Sequence, residues 1–371
     1  MTSDSYPGSW CEIHLDRISR NLELTRGLVP AGRKLCAVLK ADAYGHGIAQ
    51  VVPLMLAQGI TCIGITSNSE AYAVREAGFE GTLIRLRAAT PDEIDHGLGA
   101  RIEEQVGSLA AAEKLKALAD AGYTVRAHLA LNALGMSRDG LEIATEAGWA
   151  TCHLILTLLA KNIVGICTHF PCNTRRNLRA SADLFQKQVA MIIANSALER
   201  SDILVHAGSS LTLVSDEPVA TDMYRCGAIL YGILKPELGF QSTMDLKARV
   251  VSVGDYPKGA TVGYDQAYRL DTDRRLACLS IGYANGFRRD PDGCAAVVLG
   301  DCLAPVLGKV SMNTLVVDVT DVDGVQAGDE AFVFGGIADT KASLARTEQQ
   351  FGTIMADLYA DWGMRNARIF R

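Results

Sequence analysis

Lys40 closes an apolar run, 35–39, and is followed at once by the small, polar, glycine-bearing segment ADAYGHG. Apolar runs of this length ended by turn residues form buried strands. Lys40 is therefore expected at the carboxyl end of an interior strand, where core meets solvent. A lysine held there is partly desolvated, so its amine loses a proton more easily and Schiff-base or general-base chemistry opens to it. The plainer alternative is a strand-end lysine that extends its ammonium to water, and on spacing alone that is the commoner fate. Three further polar residues close or follow apolar runs in the same way: His169 in THF, His206 in HAGSSL and Arg225 in MYRCGAILYG. A core histidine or a salt-bridged strand-end arginine would explain any one of them. Four on one rim would face a common cavity. Ser209 and Ser210 sit in a turn whose backbone N–H groups and hydroxyls suit a phosphate, although any Ser/Gly turn looks like this.

The elements that must position these residues alternate. Apolar, β-prone runs occur at 35–39, 62–65, 83–86, 101–106, 125–131, 163–168, 203–206 and 223–226, with Ala-, Leu- and Glu-rich helical stretches such as 109–121 and 180–196 between them. Alternation with buried strands argues for parallel βα units. Eight units in roughly 240 residues fit a (β/α)8 TIM barrel, whose reactive residues sit at the carboxyl ends of the strands. A doubly wound sheet is the competing architecture, weakened because no GxGxxG follows the first strand. After Leu234 the pattern changes. KPELGFQSTMDL reads as a connection, and short, closely turned strands follow at 248–253, 276–281, 295–299, 302–306, 315–319 and 331–334, closed by a helix near 353–359. The expected plan is an N-terminal strand within 1–15 that joins the β domain, a barrel over 16–240, and a mainly β domain over 241–371.

Composition excludes several classes. The 371 residues carry a net charge of -6, and 49% are hydrophobic. Those are the values of a soluble protein of about two domains, without the clustered basic residues that nucleic acid requires. Arg175, Arg176 and Arg179 read as a solvated helix start or loop. The N-terminus MTSDSYPGSW lacks a charged region followed by an apolar one, and no run is long enough to span a bilayer. The 10 cysteines show neither CxxC nor zinc-finger spacing. A cytoplasmic protein with reduced thiols and no structural metal is expected.

Residues 37–47, AVLKADAYGHG, resemble the signature of the alanine racemase family, and the resemblance runs along nearly the whole chain. It implies a barrel followed by a β domain, with pyridoxal 5'-phosphate as cofactor, bound through Lys40. Tyr44 would then donate to the cofactor phosphate, His169 would pack on its ring, and Arg225 would face its pyridine nitrogen. Guanidinium offers only donors, so that nitrogen would stay unprotonated, which weakens the electron sink and favours proton exchange at Cα over side reactions such as transamination. His206, Ser209, Ser210, Gly227 and Ala228 would complete the cofactor site. Ser210 matches the family, whereas Ser209 stands where Asn is common. Tyr264, in KGATVGYDQAY, matches the second base. Racemisation needs proton transfer on both faces of a planar intermediate, with Lys40 serving one face and Tyr264 the other. A tyrosine, with its ordinary pKa near 10, needs a neighbour such as His206 or a positive rim for this work. Tyr283 in IGYANGF and Met312 in GKVSMNT match segments at the substrate entrance and carboxylate. In the family these segments reach across from a second subunit, which implies a homodimer with shared sites.

Three departures cluster near the substrate. The segment HLALNALGMSRDG carries Arg138, matching a family arginine, but Ala130 replaces the usual lysine, often carbamylated, beside it. A buried, unpaired guanidinium is costly, so Asn132 and a bound anion such as chloride are expected to fill the gap. Ala356, in TIMAD, stands where a tyrosine usually crowds the substrate side chain, which leaves room for longer substrates. Asn313 replaces a common aspartate. These changes resemble the broad-specificity amino-acid racemases. The expected function is a two-base amino-acid racemase acting on more than alanine. A barrel decarboxylase with the same cofactor and a non-catalytic cofactor-binding protein are the alternatives. The GATVGY context of Tyr264 and the β domain favour the racemase.

Overall fold

Eight short, largely buried parallel strands close on themselves in the computed structural model. The structure describes residues 6–159, 161–289, 295–335 and 340–371. Residues 1–5 of the expected N-terminal strand region lie outside them. The chain divides into two compact units, one comprising Leu22–Ala43 and Ile48–Leu230, the other the N-terminal residues to Asn21, Tyr44–Gly47 and Tyr231–Arg371.

In the first unit β2 (Lys34–Val38), β3 (Cys62–Ile65), β4 (Thr82–Ala88), β5 (Ile102–Val106), β6 (Ala127–Ala130), β7 (Ile163–Cys167), β8 (Leu204–His206) and β9 (Met223–Cys226) form the closed barrel. The register of β9 on β2, Lys34 opposite Met223 to Ala37 opposite Cys226, closes it. Helices cover it because their starts are well specified. Ser67 and Glu70 form a reciprocal capping box for Asn68–Glu76, and Thr90 with Glu93 does the same for Pro91–Gly97. Each cap contributes about 1 kcal/mol. The run expected at 180–196 is a 20-residue helix, Arg175–Ala194, begun a turn earlier. Arg175 and Arg179 both pair with Glu217, which places the basic cluster at a helix start.

The second unit is built on β10 (Met244–Tyr256), twice as long as its apolar run suggests because its outer half continues as an exposed ribbon. β1 (Ser9–Ile13) pairs antiparallel with β10, and β18 (Ala367–Phe370) pairs parallel with β1. A short ribbon, β11 (Thr261–Val262) with β12 (Tyr268–Arg269), stands apart. β13 (Arg274–Leu279), β14 (Ala296–Leu299), β15 (Cys302–Leu307), β16 (Leu315–Asp318) and β17 (Glu330–Phe334) complete a ring with β10, in the order β10–β13–β16–β15–β14–β17. The closing helix runs over Met355–Arg365, and its Tyr359 and Trp362 pack with Phe334. Tyr44–Gly47, expected in the barrel, belongs to this unit. A Cβ on Gly45 would lie 2.1 Å from the carbonyl oxygen of Tyr359, and one on Gly363 would lie 2.0 Å from that of Gly45. Every described cysteine is a free thiol, and no described helix is long and apolar enough to cross a membrane.

Candidate active site

β2 ends at Val38, and the chain then makes a left-handed turn: Ala41, Asp42, Ala43 and Tyr44 have φ of 53°, 52°, 57° and 54°. Left-handed geometry costs an L-residue roughly 1–2 kcal/mol, so four in succession persist only when braced. The braces are local. The Ala43 N–H donates to the Leu39 carbonyl at 2.8 Å, the Ala41 N–H to Glu70 Oε1 at 2.7 Å, and Asp42 Oδ1 accepts the Ile48 N–H at 2.8 Å. The turn presents Lys40 at the strand end. Its side chain is open to solvent on one side, yet surrounding protein desolvates the amine and lowers its pKa. The Arg138 charge lowers it further, and Glu70 opposes both.

His169 follows β7, and burial, with the charges of Arg225, Arg138 and Lys40, pulls its pKa down to about 3. It is neutral at physiological pH. Arg225 is buried on β9. One guanidinium nitrogen donates to His206 Nδ1 at 2.8 Å; the other donates to the Thr168 carbonyl at 2.7 Å and approaches His169 Nδ1 at 3.4 Å. Ser209 and Ser210 open a short turn after β8, where Gly208 has φ +82° and a Cβ would strike Thr212. Ser210 Oγ accepts the Gly227 N–H at 3.1 Å and the Ile229 N–H at 3.5 Å. Gly227 therefore acts through Ser210 and offers no open N–H of its own. A hydroxyl that accepts twice has its proton left to donate. The Ser209 N–H donates to Thr212 Oγ1. Ala228 follows Gly227 and is partly buried.

The first unit thus gathers Lys40, Arg138, His169, His206, Ser209, Ser210, Arg225, Gly227 and Ala228 at the carboxyl ends of the barrel strands. Neutral histidine, a desolvated amine, fixed cations and a serine turn after β8 make a mouth that suits an anionic, phosphorylated carbonyl compound. The residues fit pyridoxal phosphate.

The remaining expected positions lie in the second unit. The Tyr44 ring packs 4.8 Å from that of Tyr231. Tyr264 begins a single tight turn in which Asp265 and Gln266 have positive φ, and it is 61% exposed. Asp265 is tied to Lys309 at 2.6 Å. The Tyr283 N–H donates to the Ser311 carbonyl and the Ala284 N–H to that of Met312, so the structure brings Tyr283 and Met312 together. Met312 is 55% exposed, and Asn313 beside it is also exposed. Ala356 lies in the first turn of the closing helix, partly buried.

One premise fails. Arg138 is not a buried, unpaired guanidinium: its side chain is half-exposed and lies 3.4 Å from Asp139. The Asn132 amide nitrogen donates to Glu142 at 2.7 Å and to Ser137 at 3.2 Å. The loop after β6 supplies its own carboxylates. Reading the sequence also missed Glu70, although Ser67 and Glu70 at capping-box spacing were legible. It missed Glu103 and His128 as well, which join His206 inside the barrel.

The family model described as alanine racemase, N-terminal domain, matches residues 13–235, and that described as alanine racemase, C-terminal domain, matches residues 243–370. The chain belongs to the alanine racemase family. Within that family it is 39% identical to a broad specificity amino-acid racemase of Pseudomonas putida, over 97% of this chain and 89% of that one. It is 34% identical to a lysine racemase of Proteus mirabilis over the same shares. The crystal structure of the Bartonella henselae alanine racemase with covalently bound pyridoxal phosphate has the same fold, with a TM-score of 0.85 at 22% identity, covering 98% of this chain and 99% of that one.

Proposed function

We propose that this chain is a pyridoxal-phosphate-dependent amino-acid racemase that accepts more than alanine, with Lys40 and Tyr264 as its two bases. The observation that carries the reading is the barrel mouth, where a desolvated lysine, a neutral histidine and a donor-only arginine converge in a chain of this family. Its relatives are racemases, and nothing in them favours the decarboxylase or the non-catalytic alternative.

Bound at Lys40, the cofactor would supply the electron withdrawal that acidifies the substrate Cα–H bond. The residues do the rest. Lys40, its pKa lowered by burial, would receive the Cα proton at Nζ on one face. Tyr264 exchanges it on the other. Arg225, permanently charged, would donate to the ring nitrogen and deny it a proton. Ser210, with the Ser209 turn, would turn its hydroxyl proton to the phosphate, Tyr44 would donate to it as well, and His169 would pack neutrally on the ring. Arg138 orients the substrate carboxylate. An anion such as chloride would sit beside Arg138 alone, because Asn132 already donates its amide protons to Glu142 and Ser137. Tyr264, Tyr283 and Met312, exposed on one chain, suit a homodimer in which each site is completed by a second copy.

The test is α-hydrogen exchange and chirality over a panel of L-amino acids in deuterated water, in chloride and in chloride-free buffer. Exchange with loss of chirality is expected, faster with chloride, and ranked beyond alanine to serine and basic side chains. Exchange with retained chirality would remove Tyr264 from the reading. Release of CO₂ would replace the racemase with a decarboxylase.

A further inference from the structure

Arg225 begins an unbroken file of side chains that runs through the barrel interior. It donates to His206 Nδ1 at 2.8 Å; His206 Nε2 lies 3.0 Å from His128 Nδ1; His128 Nε2 lies 2.8 Å from Glu103 Oε2; and Glu103 pairs with Arg126. His206 and His128 are fully buried, with ring centroids 4.9 Å apart. His206 ends β8 and Arg225 lies near the end of β9, whereas Glu103 and His128 are each the second residue of their strands. The file therefore connects the reactive mouth to the amino-terminal half of the barrel, where such interiors are ordinarily filled by branched apolar layers.

The two ends of this file ask for the same arrangement of protons, the Glu103 carboxylate for one on His128 Nε2 and the Arg225 guanidinium for none on His206 Nδ1. Guanidinium only donates, so His206 Nδ1 is unprotonated and its one ring proton is on Nε2. That N–H needs an acceptor, so His128 Nδ1 is bare and the His128 proton is on Nε2, aimed at the carboxylate. A proton added to either imidazole would set two donors face to face. Burial and the Arg225 charge also hold His206 well below its ordinary pKa. Burial would raise Glu103, but the bonds from His128 and Arg126 outweigh it, so it remains a carboxylate. Gly165 makes the space: a Cβ there would fall 2.2 Å from His128 Nδ1.

We infer that Glu103 and His128 are positioning residues, which fix the tautomer of His206 and through it the seat of the Arg225 guanidinium. This rests on the proposed role of Arg225 toward the cofactor ring. Buried polar files of this kind act only when every member is satisfied, and outer partners that orient a reactive group typically alter its performance about 10- to 100-fold.

The experiment is 15N NMR of the holoenzyme labelled at histidine and arginine, with His128→Gln and His206→Gln used for assignment. In the unmutated enzyme both imidazoles should carry their proton on Nε2 alone. A proton on either Nδ1 overturns the inference. Glu103→Leu should populate both His128 tautomers, move the Arg225 side-chain signals, shift the cofactor absorbance band and lower kcat roughly tenfold with KM little changed. Glu103→Gln, which keeps an oxygen acceptor, should restore most of this. Unmoved tautomers or unmoved Arg225 signals in Glu103→Leu overturn the inference. Should that variant not fold, Gly165→Ala displaces the same ring without altering charge, and unmoved Arg225 signals there overturn the inference equally. If the Arg225 signals move while kcat and absorbance do not, the positioning role stands and the assignment of Arg225 to the cofactor falls.

Discussion

Ala356 is proposed to set the substrate range. It lies partly buried in the first turn of Met355–Arg365, at a position where the family usually has tyrosine. Ala356→Tyr should narrow the accepted substrates toward alanine, because a filled pocket rejects longer side chains far more than it gains for short ones. The ratio of kcat/KM for lysine to that for alanine should fall tenfold or more, and an unchanged ratio would reject the pocket argument. His169 makes a residue-scale prediction about acid. Unfolded, a histidine binds its proton near pH 6.5; folded, His169 binds one only near pH 3. Between those values the unfolded chain holds more protons, so falling pH favours unfolding. The Tm should drop as pH is lowered from 7 to 4, less steeply in His169→Gln, and parallel slopes would remove His169 as the cause.

At the scale of elements, the approach of the Tyr44–Gly47 turn to the closing helix depends on two glycines. Gly363→Ala places a Cβ 2.0 Å from the Gly45 carbonyl oxygen, and overpacking of this kind costs about 1–3 kcal/mol. Urea melts should show that loss. This contact was invisible in the sequence, since nothing in either glycine's surroundings says that the two segments meet. Most barrel strands were legible because they are short apolar runs with turn residues at their ends, whereas β5, IEEQV, is mainly polar. β18 was not legible, because ARIF alternates too briefly and is held by β1 from the far end of the chain. The candidate site divides the same way. Lys40, His169, His206 and Arg225 were legible as strand-end polar residues. Glu103 and His128 point inward from mid-pattern positions, where a polar residue reads as one exposed to solvent. The costly Arg138 inferred from the missing lysine is absent because that side chain is half-exposed and has Asp139 beside it.

For the whole molecule, the proposed division of labour between two copies has a numerical signature. If Lys40 of one copy works with Tyr264 of another, a dimer of Lys40→Ala with Tyr264→Phe contains one doubly damaged site and one intact site. Co-expression at equal levels makes half the dimers mixed, so about one quarter of the wild-type racemisation should return where each variant alone gives almost none. No recovery would place both residues in one copy. Sedimentation of the unmutated protein should give about twice the 39.7 kDa of the chain. The exposure of Tyr264 and Met312 supports such an assembly, since large side chains on an open face gain most from being covered.

The left-handed turn after Lys40 also bears on how this chain can change over time. From Ala41 to Tyr44 the backbone follows the mirror image of an ordinary helical turn, a region in which a branched Cβ collides with its own carbonyl. Valine, isoleucine and threonine are therefore barred from these positions whatever their chemistry, while glycine and asparagine are the mildest exchanges. Drift at the most reactive stretch of the chain is limited first by handedness, and only afterwards by what the side chains do.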